Sequence, residues 1–334
     1  MRVPSFWWRE AGLAATLLAP PAALYGTVAA QRMCQGGREV GVAIICIGGL
    51  TVGGAGKTPM ALRVERLLAA TGRRPVFLTR GYGGSLAGPV TVDPTRHTAR
   101  EVGDEPLLLA RAAPTIVARD RVAGAEAARD AGAGIVIMDD GFHNGALAKH
   151  LAVVMIDGER GIGNARVLPA GPLRAPLGVQ LERADALVVV GPPLAADFVA
   201  REFRARTRPV FHGSYVPDPA ALFALAGHRV LAFAGIGHPE KFFATLEAAG
   251  IEAVVRRSFP DHHRYNKAEA AWLIAEAERR RLLLVTTEKD SVRLSGDGAV
   301  AALARCARVL PVTLVLDDED SFGRFVLERV MQRS

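Results

Sequence analysis

Glu39 to Pro59 reads EVGVAIICIGGLTVGGAGKTP. An apolar, β-branched run from Val40 to Ile47 passes into a loop with four glycines in eight residues, Gly49, Gly53, Gly54 and Gly56, and closes on Lys57 and Thr58 ahead of a helical pattern. Buried strand, glycine-rich loop and helix, in that order, make a phosphate-binding loop. Backbone N–H groups converge on phosphate oxygens in such a loop, and the helix start adds partial positive charge at the same place. The pattern assigns Thr51, Val52, Gly53, Gly54, Ala55, Gly56, Lys57 and Thr58 to nucleotide phosphates. Lys57 is expected to reach the β- and γ-phosphates and the Thr58 hydroxyl to ligate Mg²⁺, so that ATP and Mg²⁺ are the expected cofactors. Thr51 stands where the strict pattern has its first glycine.

The surroundings of this stretch predict a doubly wound α/β sheet. Pro59 to Ala70 reads as a helix, Arg74 to Thr79 as a strand ending in Arg80-Gly-Tyr-Gly-Gly84, and Gly103-Asp104-Glu105-Pro106 as the start of a helix. Asp104 by itself reads equally well as a helix cap. Thr115 to Ala118 is a further strand, Asp120 to Ala131 a helix, and Gly134 to Met138 a buried strand that ends in Asp139-Asp140. An apolar strand with aspartate at its tip is suited to hold a hydrated Mg²⁺ opposite Thr58, so Thr58, Asp139 and Asp140 form the expected metal set. Strands at Leu151 to Asp157 and Ala186 to Gly191 follow, separated by a glycine- and proline-rich stretch from Gly161 to Pro176. Long loops of that kind inside compact domains are usually functional or disordered. The irregular residues 208–227 read as a linker. Beyond them a smaller alternation runs from Val230, with strands that include Val309 to Leu316 and a closing helix from about Asp320. The expected units are an N-terminal helix at 1–33, a phosphate-loop domain at 34–207, the linker, and a smaller α/β domain at 228–334 whose last helix packs back on the first.

Composition narrows the partners. The chain of 334 residues carries a net charge of +7, which fits an anionic ligand or surface. Aromatic residues are only 6% and are not interleaved with basic ones, which argues against nucleic acid. Cys34, Cys46 and Cys306 form no CxxC pair, which suits a reducing compartment and argues against structural zinc. Between Glu10 and Arg32 lie 21 uncharged residues, preceded by Trp7 and Trp8. That length and those interfacial aromatics predict membrane attachment, as a span or as a helix lying in the interface; the pair Pro20-Pro21 makes it a weak span. A soluble kinase of a small hydrophilic substrate and a membrane-associated NTPase switch are the competing readings.

Nine features in order carry a resemblance: the N-terminal apolar segment, GGLTVGGAGKTP, RGYGG, GDEP, MDDGF, VLPAGPLR, FAGIGHPEKFF, FPDHHRY and TTEKDSVRL. Together they resemble the tetraacyldisaccharide 4'-kinase (lipid A 4'-kinase) family over nearly the full length. The resemblance implies an inner-membrane enzyme with its active site facing the cytoplasm. It implies transfer of the ATP γ-phosphoryl group to the 4'-hydroxyl of an acylated glucosamine disaccharide 1-phosphate, giving lipid IVA, without an obligate protein partner. It also implies that Asp104 is the base, aided by His262 of the Asp261-His262-His263 motif, with Lys57 completing the catalytic set and domain closure bringing His262 to Asp104. Arg119, Arg121 and Arg174 are candidates for neutralising phosphate charge, Arg174 with the better motif support. The chain departs from the family's DDGFQH at His143 and Asn144, and from its LREP at Ala175.

Overall fold

Every residue from Ala43 to Gly49 is buried, and strand β1, which they form, lies at the centre of a nine-stranded sheet. The structure is a computed structural model that describes residues 4–53 and 56–331. The remaining strands are β2 (Pro75–Thr79), β3 (Val90–Thr91), β4 (Thr115–Val117), β5 (Ile135–Asp139), β6 (Leu151–Asp157), β7 (Ala186–Val190), β8 (Val210–Pro217), β9 (Arg229–Ala234), β10 (Glu252–Ser258), β11 (Leu283–Thr287), β12 (Arg308–Leu310) and β13 (Val312–Leu316). The helices are α1 (Leu13–Leu17), α2 (Ala19–Cys34), α3 (Lys57–Ala70), α4 (Ala99–Val102), α5 (Asp104–Leu109), α6 (Arg121–Asp130), α7 (Leu177–Arg183), α8 (Asp197–Ala205), α9 (Pro219–Leu225), α10 (Pro239–Ala248), α11 (Lys267–Arg280), α12 (Glu288–Arg293), α13 (Ala299–Cys306) and α14 (Glu319–Met331).

The large sheet runs β13-β8-β7-β6-β1-β5-β2-β4-β3. It is parallel from β8 to β4 and has an antiparallel strand at each edge. Alternation along β1 explains why it is covered on both faces. Ala43, Ile45 and Ile47 join one core with α3 and α14; Ile44 and Cys46 join the other with α6 and α8. A strand buried on both sides needs the continuous apolar run that the sequence supplies. The smaller sheet, β10-β9-β11-β12, is wholly parallel and has its own cores.

Three expectations require correction. Residues 208–227 are not an irregular linker, because they contain β8, which pairs with β7 in the large sheet, and α9. The run from Val309 to Leu316 is two strands in different sheets. Pro311 separates β12, which pairs with β11, from β13, which pairs with β8, so the chain returns to the large sheet before its last helix. The N-terminal segment is two helices meeting at Leu18, and Pro20-Pro21 falls in the first turn of α2, where a missing N–H costs nothing. Among the described residues no helix is long and apolar enough to cross a membrane.

Candidate active site

The carboxyl ends of β1 and β5 lie side by side, with Ile47 opposite Asp139 and the Asp140 N–H donating to the Ile47 carbonyl at 3.0 Å. Ligands of open α/β sheets bind at such ends. Gly56 precedes α3 with φ of 85°, a left-handed conformation that suits glycine, and a side chain there would run into the Tyr215 hydroxyl. Gly54 and Ala55 of the expected loop lie outside the described residues. Thr51 and Val52 are pinned from the long loop before α7: Thr51 bridges Leu173, and the Val52 N–H donates to the Pro172 carbonyl at 2.8 Å. The glycine- and proline-rich stretch thus buttresses the phosphate loop and brings Arg174 to it.

At the start of α3, the Thr58 hydroxyl donates to Asp139 Oδ2 at 2.9 Å. The Lys57 ammonium lies 3.4 Å from the Gly53 carbonyl and 3.8 Å from Asp140 Oδ2. Arg174 Nη1 donates to both Asp140 oxygens, at 2.9 and 3.1 Å. Burial would raise the Asp140 carboxyl, but Lys57 and Arg174 hold it down at about 2. For Asp139 the Lys57 charge and the Thr58 hydrogen bond act in the same direction but are outweighed. Burial and the adjacent Asp140 push it up to about 6, and its Oδ1 is buried without a hydrogen bond. Asp140 adopts φ of 53°, an uncommon conformation for a side-chain-bearing residue and one that clusters at functional sites.

Asp104 is the first residue of α5 and is only 4% exposed. Gly103, with φ of 94°, delivers it, and the gap beside Gly103 is filled by the Tyr82 backbone of the RGYGG loop. Its carboxylate faces His262 Nδ1 at 3.1 and 3.2 Å, a contact that spans the two sheets' units. His262 has φ of 56°, and its N–H donates to the Gly235 carbonyl at 3.1 Å. Burial disfavours the imidazolium, but the hydrogen bond and charge of Asp104 more than offset this and raise its pKa. For Asp104, burial is likewise outweighed, by His262 and by Arg293, so the carboxyl is held far below its usual range. The two halves of the site share one electrostatic field. Lys289 pairs with Glu105 at 2.9 Å and opposes protonation of Lys57, while Glu105 opposes ionisation of Asp139.

The three candidate arginines separate. Arg174 is in the site. Arg121 is buried near Asp139 and Asp140, and burial lowers it to about 10. Arg119 is exposed and caps the carbonyls of Gly84 and Ser85, away from the phosphate loop's own contacts. The departures from the family pattern have local partners. His143 Nε2 meets Gln180 Oε1 at 2.9 Å, and Gln180 Nε2 donates to the Ala175 carbonyl at 2.7 Å. Asn144 turns back to accept from the Ala146 N–H. Sequence reasoning missed Gln180, Lys289, Asp290 and Arg293; the last three sit in the quoted TTEKDSVRL motif, which was the available signal.

A lysine and a hydroxyl at a helix start, facing strand-end aspartates beside a second buried acid–histidine pair, define an α/β protein built around a phosphorylated ligand. Residues 14–331 match the family described as LpxK, tetraacyldisaccharide-1-P 4'-kinase. The chain is 54% identical over 332 residues to the tetraacyldisaccharide 4'-kinase of Rhodopseudomonas palustris strain BisB18, covering 99% of this chain and 97% of that one. It is 49% identical to the enzyme of that name from Nitrobacter winogradskyi, covering 99% and 98%. The chain belongs to the tetraacyldisaccharide-1-P 4'-kinase family. The fold is also that of "apo" form LpxK from Aquifex aeolicus, crystallised in complex with ATP, with a TM-score of 0.73 at 24% identity over 95% of this chain and 100% of that one.

Proposed function

We propose that this chain transfers the γ-phosphoryl group of ATP to the 4'-hydroxyl of tetraacyldisaccharide 1-phosphate, giving lipid IVA. The observation that carries the reading is the buried Asp104–His262 pair, set beside the phosphate loop and joining both units of the molecule. Phosphoryl transfer needs positioning and charge neutralisation more than covalent chemistry. Lys57 and Arg174 supply the positive charge, Thr51 to Thr58 cradle the phosphates, and Asp104 accepts the proton of the acceptor hydroxyl while His262 holds the carboxylate in place.

The fold is read as that of the phosphate-loop NTPases. The residues present fit Mg²⁺: a buried Asp139 oxygen lacks a partner, the Thr58 hydroxyl lies against the same carboxylate, and Asp140 adjoins it. When bound there, Mg²⁺ neutralises charge on the β- and γ-phosphates.

The protein is read as lying on the cytoplasmic face of the inner membrane. Leu13, Leu17 and Leu24 are 85%, 78% and 71% exposed on α1 and α2, where an interfacial helix pair would bury them in lipid.

The test is transfer of labelled γ-phosphate from Mg-ATP to a tetraacylated disaccharide 1-phosphate in mixed micelles, comparing wild type with Asp104→Ala. Labelled lipid that disappears in the variant is the expected result. A folded, ATP-binding wild type that labels no lipid sinks the assignment, and nucleotide hydrolysis that survives Asp104→Ala without an acceptor points to an NTPase switch.

A further inference from the structure

Arg293, like His262, reaches the Asp104 carboxylate. It is 7% exposed, sits on the last turn of α12, and is held from behind. Its Nη1 donates to the Gly235 carbonyl at 2.6 Å and to Asp290 Oδ1 at 3.2 Å. Asp290 is wholly buried and fixed in turn, accepting from the Gly235 N–H at 2.9 Å, the Tyr265 hydroxyl at 2.8 Å and the Thr287 hydroxyl at 2.6 Å. Nε of Arg293 then donates to Asp104 Oδ2 at 2.7 Å, and Nη2 closes on the same oxygen. Both guanidinium contacts therefore fall on Oδ2, whereas His262 Nδ1 reaches Oδ1 as well.

We propose that Arg293 is a positioning residue for the transfer: by gripping Oδ2 with two N–H groups it fixes the Asp104 carboxylate and so sets the direction in which Oδ1, which Arg293 does not touch, meets the acceptor hydroxyl. The inference rests on the reading of Asp104 as the base. A carboxylate free to rotate about its last bond presents either oxygen at variable angle; one oxygen anchored by a planar fork fixes where the other points. The anchor belongs to the smaller unit, so the base is oriented only while α12 and α5 are in contact. A small pocket beside Asp104 is lined by Tyr82, His262 and Arg293 among others, so the anchor lies at the wall of the cavity that Asp104 faces.

The experiment measures lipid phosphorylation by the full-length chain as wild type, Arg293→Lys, Arg293→Met and Asp104→Asn, with kcat, KM for ATP and the pH profile of each. Charged groups around Asp104 are Glu105 on its own helix, Lys289 and Asp290 on α12, Asp261 and His262 on the facing loop, and Arg100 and Arg264 across the pocket. Arg293 favours the ionised carboxylate, so its loss lets Asp104 protonate at higher pH. Arg293→Met should lower kcat roughly a hundredfold, leave KM for ATP near wild type, and move the acid limb of kcat upward. Arg293→Lys keeps the charge but not the fork, so kcat should fall roughly tenfold with the acid limb in place. Wild-type kcat in Arg293→Lys overturns the proposal, and that variant decides alone if Arg293→Met does not fold. If Asp104→Asn keeps its rate, the base reading fails and takes this inference with it; if Asp104→Asn is dead while both Arg293 variants match wild type, only this inference fails.

Discussion

His143 shows how a single residue changes the balance of a buried site without touching its phosphate loop. Burial first, and then the Arg174 charge, lowers the imidazole from 6.5 to about 4, and it donates from Nε2 to Gln180 Oε1 as a neutral ring. Glutamine, the residue the family commonly carries there, can make the same hydrogen bond with no charge to gain. The linkage follows from the depressed value. The unfolded chain takes up a proton below pH 6.5 that the folded chain refuses until pH falls to about 4, so folding stability declines across that window. His143→Gln removes the decline. Urea denaturation at pH 7.5 and at pH 4.5 should therefore show the variant close to wild type at the higher pH and more stable at the lower. The gap should grow to at most about 3 kcal/mol, because one pKa unit corresponds to about 1.4 kcal/mol. Equal acid sensitivity in the two proteins would mean that His143 takes up its proton in the folded state as readily as in the unfolded chain.

At the level of elements, what could be read from the chain depended on whether several local signals agreed. For β1 and α3 they did, since an all-apolar run, clustered glycines and Lys57-Thr58 point to one structure, and the elements lie where those signals put them. Asp139 and Thr58 were legible for the same reason, each sitting at a boundary between element types. β8 was not, because it is an edge-side strand whose residues Val-Phe-His-Gly-Ser-Tyr are neither continuously apolar nor cleanly alternating. The break at Pro311 was hidden by good strand formers on both sides, although proline cannot donate to a ladder. Arg293 was legible only as a member of the TTEKDSVRL motif: residue type and spacing do not separate a buried arginine that grips a distant carboxylate from one that faces solvent. The N-terminal helices give this level its own prediction. Leu13, Leu17 and Leu24 contribute little to the folded core but expose large apolar areas. Replacing all three by serine should leave the melting temperature within about 2 °C of wild type, as surface changes usually do. Cosedimentation with anionic lipid vesicles should fall at least about tenfold, since each leucine buried in lipid is worth roughly 1.5–3 kcal/mol. Undiminished vesicle binding would exclude α1 and α2 as the contact.

The whole molecule is tied together by a chain that leaves the large sheet after β8, builds the smaller sheet, and comes back at β13. Cross-unit contacts then hold the cleft on two sides: Lys241 to Asp157 and Glu159, at 2.7 and 3.0 Å, and the α12 side chains to Asp104 and Glu105. This arrangement makes helix α14, thirteen residues long, part of the phosphate-loop unit, although it follows the smaller unit in sequence. Phe322, Val326 and Val330 are fully buried in the same core as Met60, Val64 and Leu68 of α3, the helix that begins with Lys57 and Thr58. Each is worth roughly 1.5–3 kcal/mol, so together they supply about 5–9 kcal/mol against a total stability of about 5–15 kcal/mol. A chain ended after Asp318 should therefore fail to fold, or should melt below about 37 °C, and should lose ATP binding along with lipid phosphorylation, because α3 loses its packing. Phe322→Ala alone should cost about 3–5 kcal/mol while leaving the cleft's ion pairs in place. Calorimetry on the two proteins tests this directly. A truncated chain with wild-type melting and ATP affinity would show that α14 packs elsewhere and that the phosphate loop is held by the smaller unit's contacts instead.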